Sequence, residues 1–550
     1  MQSFFVENYK IKVYNTIRNE TEEISMLFSK IIETLKKDWK FKLFHFLLLA
    51  IVILIAVTSF KGKDYALQLP PDNIFINITL VVTIICSVVF YFVFKFFESK
   101  NLNLEKLYLC IIIPLGIMYC IANPLGKVPD EDQHARKSMA ISNGVFFSHK
   151  DENGNPVDKF NAKLNEVVTR TVTSYEDSFR RVALAETEEE IDMIYSMATY
   201  APICHMPQAF GMFITRILGF GVSVQCYAAR IVNMFVAIAL TYWAIKVVPF
   251  KKQIVFFLGL LPLTIMEYAS MSSDALTISG CIFYIAYILY LMYDENKKSI
   301  NKKDVAVLII MTFIVSLCKI VYVPLALLLF VLPKEKFSSL KSKRIITFGI
   351  FISAIALNVI WLIYAAGFLT EANPGVNAGE QVKYILTNPI SYILILFRTI
   401  NISNQTFILS LCGEGLGHYN AQASVLFIFP CLVIFAMLFF VNEDKKRKEF
   451  DWKIKLICLF IFTSIVVLVY TSLYVAWTPL EYPLILGVQA RYFLPVLLLT
   501  AIILDNRYII LDKEIRNKYL SSFMLFFNLN ALSCISYTYI FDYIIEYYIK

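Results

Sequence analysis

Runs of about twenty residues with scarcely a charge recur along this 550-residue chain, and they decide what it can fold into. A segment surrounded by lipid must satisfy its own backbone hydrogen bonds, which leaves helices or closed barrels. The runs are of helix length: 41–60, 74–94, 107–123, 224–247, 253–271, 274–293, 304–318, 320–333, 345–367, 422–441, 453–476, 487–505 and 519–541. The expected fold is all-α, a polytopic membrane protein of about thirteen transmembrane helices. Composition agrees: 17% of the residues are charged, against about a quarter in a soluble chain. A soluble enzyme, a disordered tail and a disulfide-stapled secreted domain are excluded.

Charge placement gives the expected orientation. With the N-terminus inside, inner segments hold most of the 51 lysines and arginines, from Lys10–Lys42 through Lys297–Lys303 and Lys334–Arg344 to Arg507–Lys518. That is the positive-inside pattern of a multi-pass membrane protein. Residues 1–40 read as a polar cytoplasmic segment, and the first apolar block is too long and too late for a cleavable signal. Because the +8 net charge sits in short clusters between apolar blocks, no nucleic-acid partner is expected. Two N-terminal spans (41–106) precede a membrane domain at 107–541. This domain carries two outer segments, 124–223 and 368–421, that are too long for mere connectors. Within the first, 206–220 is a short amphipathic block expected to lie along the membrane surface.

Residues able to do chemistry gather at the outer ends of the spans. Past the third span comes Pro129-Asp130-Glu131-Asp132-Gln133-His134-Ala135-Arg136-Lys137. Pro129 suits a helix start, with carboxylates favoured in the first turn by the helix dipole. The acids therefore read either as helix caps or as a carboxylate that removes a proton, with His134 or Lys137 facing a phosphate. Asp274, between two spans with almost no loop, either caps the next helix or faces water or a substrate. Arg491, in Gly487-Val488-Gln489-Ala490-Arg491-Tyr492, either snorkels or holds a phosphate with its planar fork. Lys319 and Arg230 add two outer-leaflet cations. Acids and cations on one face are what a reaction on a lipid-linked phosphate requires.

The eleven cysteines lie mostly within the apolar blocks and show no metal spacing, while Cys204 and Cys412 fall outside the lipid and leave a pairing open. There is no Walker loop, dinucleotide fingerprint, HExxH or Gly-x-Ser-x-Gly. No cofactor is expected, and a divalent metal is not indicated.

Residues 129–144, PDEDQHARKSMAISNG, resemble the hallmark of the domain of unknown function 2142 family of bacterial membrane proteins. Lys137 stands where that family commonly has Arg, and Asp132 replaces a usual Pro. The resemblance continues in Tyr200-Ala-Pro202-Ile-Cys204-His205-Met-Pro207-Gln208, Arg230-Ile-Val-Asn233, Leu261-Pro262 with Ser270-Met-Ser272-Ser-Asp274, and Gly487 through Pro495. It covers roughly 107–541, five pieces in order. The family in turn resembles GT-C glycosyltransferases, whose first large outer loop carries a catalytic acid just after a span. The resemblance implies an inverting transfer of sugar from a polyprenyl-phosphate donor to an envelope glycan or a lipid-linked acceptor, on the outer face. Asp130 or Glu131 would be catalytic; Lys137, Lys319, Arg491 and His134 would bind the carrier phosphate. Asp274, Gln489, Tyr492, His205, Gln208 and Arg230 would contact substrate, and 206–220 would be a juxtamembrane helix. A lipid-linked glycan exporter and a polysaccharide polymerase or assembly protein remain alternative readings.

Overall fold

The computed structural model describes residues 39–66, 74–98, 100, 102–152, 156–161, 163–168, 190–194, 196–368, 374–442, 450–505, 509–510 and 513–548. The basic stretch expected at 1–38 and most of the charged stretch before Glu190 lie outside them. The chain divides into two compact units, Met1–Leu54 and Ile55–Lys550. The described part of the first is helical from Trp39; the second holds the elements that matter for function.

The architecture is all-α and polytopic, with two very small sheets. In chain order come α1 (Trp39–Ala66), α2 (Ile74–Glu98), α3 (Leu104–Ala122), α4 (Glu131–Ser142), β1 (His149–Lys150), β2 (Pro156–Asn161), α5 (Lys163–Val167), β3 (Glu190–Ile194), α6 (Met206–Ile217) and α7 (Val222–Val247). There follow α8 (Lys252–Gly259), α9 (Pro262–Tyr268), α10 (Asp274–Tyr293), α11 (Lys302–Cys318), a 3-10 stretch at Ile320–Val331, α12 (Leu340–Ala366), α13 (Ala378–Thr387) and α14 (Pro389–Leu411). Last come α15 (Leu416–Tyr419), α16 (Val425–Phe440), β4 (Val441–Asn442), α17 (Trp452–Ala476), α18 (Leu497–Ile503), β5 (Ile509–Ile510) and α19 (Lys513–Tyr548). Strands β1, β2 and β3 form an antiparallel sheet in the first long segment, 124–223, with Val157 opposite Ile194.

Among the described residues eight helices are long and apolar enough to cross a membrane. The other five predicted spans are shorter or broken, and the breaks have physical causes. The run 253–271 divides into α8 and α9 because Pro262, at the first turn of α9, cannot continue the ladder of α8. The freed carbonyl of Leu260 is recovered by Asn528 of α19, whose Nδ2 donates to it at 2.8 Å. Irregular backbone at this depth is tolerated because protein, not lipid, surrounds it. The run 320–333 is a 3-10 stretch around Pro324, entered through Lys319 in extended conformation. In the second long segment, 368–421, α13 and α14 meet at a 108° bend before Pro389.

Burial sorts the spans. Within the most apolar window, α10 and α19 are 83% buried, whereas α12 is 22% buried. Ile345, Phe348, Ile352, Ile360 and Ile363 of α12 are exposed, as suits a lipid-facing helix. On α6, Phe210, Phe213, Ile214 and Ile217 are exposed while Gln208, Ala209 and Met212 are buried. That two-faced pattern is the amphipathic character read at 206–220. All eleven cysteines are free thiols, so Cys204 and Cys412 are not paired; Cys204 Sγ instead meets the carbonyls of Leu317 and Cys318.

Candidate functional site

The turn between α3 and α4 places two neighbouring acids in different worlds. Its start needs Gly126, at φ 82°, because a Cβ there would lie 2.7 Å from the backbone of Val168. Asp130, the residue before α4, has φ 63°, a left-handed conformation uncommon outside glycine. Its side chain makes no capping bond, so it is not the helix cap that sequence allowed.

Glu131 turns inward and is wholly buried. Its Oε1 accepts from Arg230 Nε at 2.7 Å and from the Met271 amide at 3.0 Å. Its Oε2 accepts from Arg230 Nη2 at 2.6 Å and from the Gly126 amide at 2.9 Å. Arg230 Nη1 donates to the carbonyls of Cys120 and Asn123, and Nη2 also to that of Pro124. Five contacts use the five N–H groups that a guanidinium owns. The pair joins the end of α3, the start of α4, α7 and the loop before α10. It is a satisfied scaffold, which corrects the expectation that Glu131 shares the catalytic role and that Arg230 meets substrate.

Asp130 turns the other way. Arg491 Nη2 donates to its Oδ2 at 2.5 Å. Arg491 Nη1 donates to the Pro129 carbonyl at 3.0 Å and lies 3.3 Å from Glu267 Oε1, and its Nε stands 3.0 Å from Asp274 Oδ2. Lys319 Nζ closes on Asp274 Oδ1. Arg491 is therefore a hub that gathers three carboxylates, not the open phosphate fork expected from sequence, since its donors already face protein. Asp274 pairs with cations rather than capping α10. Of the three carboxylate side chains, Asp130 is 31% exposed, Asp274 3% and Glu267 0%. Asp130 is the most exposed of the three.

Sequence reasoning passed over Glu267, which stands near the end of α9, across a short non-helical loop from Asp274. An acid inside an apolar run was the available signal, because such residues are rare in membranes and face a partner or a cavity.

Two cavities flank this charge cluster. One, of about 370 Å³, is lined by Lys319, Tyr200, Tyr322 and Tyr492 and by apolar positions of α12 and α17, including Trp361, Leu362 and Leu473. Lys319 Nζ lies 4.5 Å from the centre of the Tyr492 ring. The other, of about 350 Å³, is lined by Pro129, Glu267, Tyr419, Gln489 and Arg491 among others.

The remaining predicted residues fall behind these walls. His134 Nδ1 and His205 Nε2 share a hydrogen bond at 2.8 Å, so one ring donates and the other accepts. Burial pushes His134 down to about 4 and His205 well below its ordinary value. Two rings bonded to each other inside the protein are not the phosphate-facing partner expected at His134. Lys137, fully buried and lining neither cavity, is pushed down to about 8 by burial. Gln208 Nε2 donates to the carbonyls of Met271 and Ser272, and Asn233 Nδ2 to those of Ser270 and Ser272. Gln208 thus holds the loop that presents Asp274 instead of meeting substrate. Among the described residues no group of three or more His, Cys, Asp or Glu side chains is arranged to hold a metal ion.

Compared with known proteins, residues 113–500 match the family model described as predicted membrane protein (DUF2142), and the chain belongs to that family. No curated protein and no solved structure matches it.

Proposed function

We propose that this DUF2142 protein is an inverting glycosyltransferase that moves a sugar from a polyprenyl-phosphate carrier to a hydroxyl of an envelope glycan or lipid-linked acceptor, at the outer face of the bacterial cytoplasmic membrane. The observation that carries the reading is Asp130: a left-handed, partly exposed carboxylate fixed by Arg491, which lines one cavity and pairs with Asp274, the partner of the lysine that lines the other. A residue held in a sparsely populated conformation by its surroundings is a common mark of a working site.

In the proposed reaction the acceptor oxygen attacks the anomeric carbon as the bond to the carrier phosphate breaks. The bonding electrons leave with the phosphate, the configuration inverts, and Asp130 takes the acceptor proton. Arg491 is the positioning residue: its Nη2 fixes one carboxylate oxygen of Asp130. Lys319, at the wall of the apolar cavity, meets the charge that builds on the departing phosphate. Asp274 holds that ammonium in place. Tyr492 supplies a ring face beside it, and the apolar walls of α12 and α17 suit the carrier's hydrocarbon.

The test is a purified full-length chain in lipid nanodiscs, assayed for transfer from polyprenyl-phosphate sugars and paired with envelope-glycan analysis of a deletion strain. Wild-type protein restores the missing sugar and the Asp130→Asn variant, at equal membrane abundance, does not. Restoration by Asp130→Asn at the wild-type level would refute the assignment and favour a non-catalytic assembly role.

A further inference from the structure

The deepest of the three carboxylates around Arg491, Glu267, lines a cavity that Lys319 does not reach. Glu267 and Gln489 are both in the wall of the 350 Å³ cavity. Their oxygens Glu267 Oε2 and Gln489 Oε1 are buried and accept no hydrogen bond from the protein. Buried acceptors are almost always satisfied, and a charged one left bare is costly. Two acceptors in one wall call for a ligand rich in O–H donors. The rest of the lining fits the same chemistry: the hydroxyl residues Thr406, Ser410 and Tyr419 alternate with Met266 and Phe407. A pyranose has that character, hydroxyls around its rim and C–H groups on its faces.

The rim is built rather than loose. Gly415, Gly417 and Tyr419 all have positive φ (72°, 63° and 63°), and for Tyr419 this is strained backbone. The Gly417 amide approaches Met266 Sδ at 3.1 Å, and the His418 amide donates to Tyr539 Oη at 3.1 Å. These contacts fix the turn that brings Tyr419 to the cavity. Pro129 and Arg491, which flank and hold Asp130, form part of the same wall.

We infer that this cavity is a carbohydrate-binding site, in which Glu267 and Gln489 accept hydrogen bonds from the hydroxyls of the acceptor sugar, separated by the Arg491 cluster from the apolar cavity at Lys319. Calling the sugar the acceptor rests on the transferase reading; the binding of sugar does not.

Saturation-transfer NMR on the full chain in nanodiscs tests it, with millimolar methyl glycosides of glucose, galactose, N-acetylglucosamine and ribose as probes. At least one glycoside receives saturation from the wild-type protein. Ser410→Phe, which fills the cavity without touching the charged cluster, weakens that signal about tenfold or more. Gln489→Leu weakens it in the same direction and serves should Ser410→Phe lower the thermal midpoint. Ala365→Phe, in the wall of the other cavity, leaves it unchanged. Absence of saturation for all four glycosides, a signal that survives both Ser410→Phe and Gln489→Leu, or equal loss in Ala365→Phe overturns the inference. Transfer from a polyprenyl-phosphate sugar, measured on the same samples, separates the two ideas. Sugar binding without transfer removes the transferase reading and leaves the site. Transfer undiminished in Ser410→Phe removes the site and leaves the reading.

Discussion

Asp130 and Glu131 are neighbours in sequence, both paired with an arginine, yet the two sites are built for opposite ends. Around Glu131 every donor and acceptor is matched, and both partners are wholly buried. Around Arg491 one guanidinium is shared among three acids; one of these is open to solvent and another has an oxygen with no hydrogen-bond partner. The first arrangement holds helices together and the second keeps chemistry available. Whether a buried ion pair is scaffold or machinery is thus read from how completely it is satisfied, not from its residue types.

The largest expected effect breaks the scaffold side. Glu131→Ala leaves the Arg230 charge buried without its partner and is expected to cost about 3–5 kcal/mol of stability, measured as a fall in the thermal unfolding midpoint. An unchanged midpoint would erase the distinction between the two sites. Next, Asp130→Asn is expected to lower transfer by about 10²–10⁴-fold, the range for losing a general base, while the midpoint stays near wild type because asparagine tolerates φ 63°. Third, Lys319→Gln is expected to lower transfer by about 10²-fold, with partial recovery in Lys319→Arg, when initial rates are compared at saturating donor. Smallest is a pH effect on the paired imidazoles behind the site. His134 is held down to about 4 from 6.5, so between those values the unfolded chain binds a proton that the folded chain does not. Stability therefore declines as pH falls from 6.5 towards 4. A series of midpoints against pH shows the slope, and His134→Asn with His205→Gln flattens it.

Much of this organisation is legible before any folding is considered. Apolar runs of bilayer length mark α1, α2, α3, α7, α10, α12, α17 and α19, the eight helices that pass the span criterion. Ends of the predicted runs carry Asp130, Asp274 and Arg491, and these three do converge. What could not be read is which acid meets which cation. Glu131 and Arg230 are 99 positions apart. Nothing local tells a residue that will saturate a guanidinium from its neighbour that will stay open. Gln208 was expected to meet substrate, but its amide nitrogen, like that of Asn233, is taken by carbonyls of the loop before α10. Glu267 was hidden for the opposite reason, lying in a run whose apolar average masks one charge.

By itself the sequence determined the solvent and the partition. Long uncharged helices must lie in lipid, and lysine and arginine clusters must lie outside it, because the transfer energy of each side chain is a local property. Only the tertiary structure decided the roles. Satisfaction of a buried charge depends on donors brought from distant helices, and the break at Pro262, the left-handed turn at Asp130 and the placing of Arg491 together set which carboxylate stays open to a substrate.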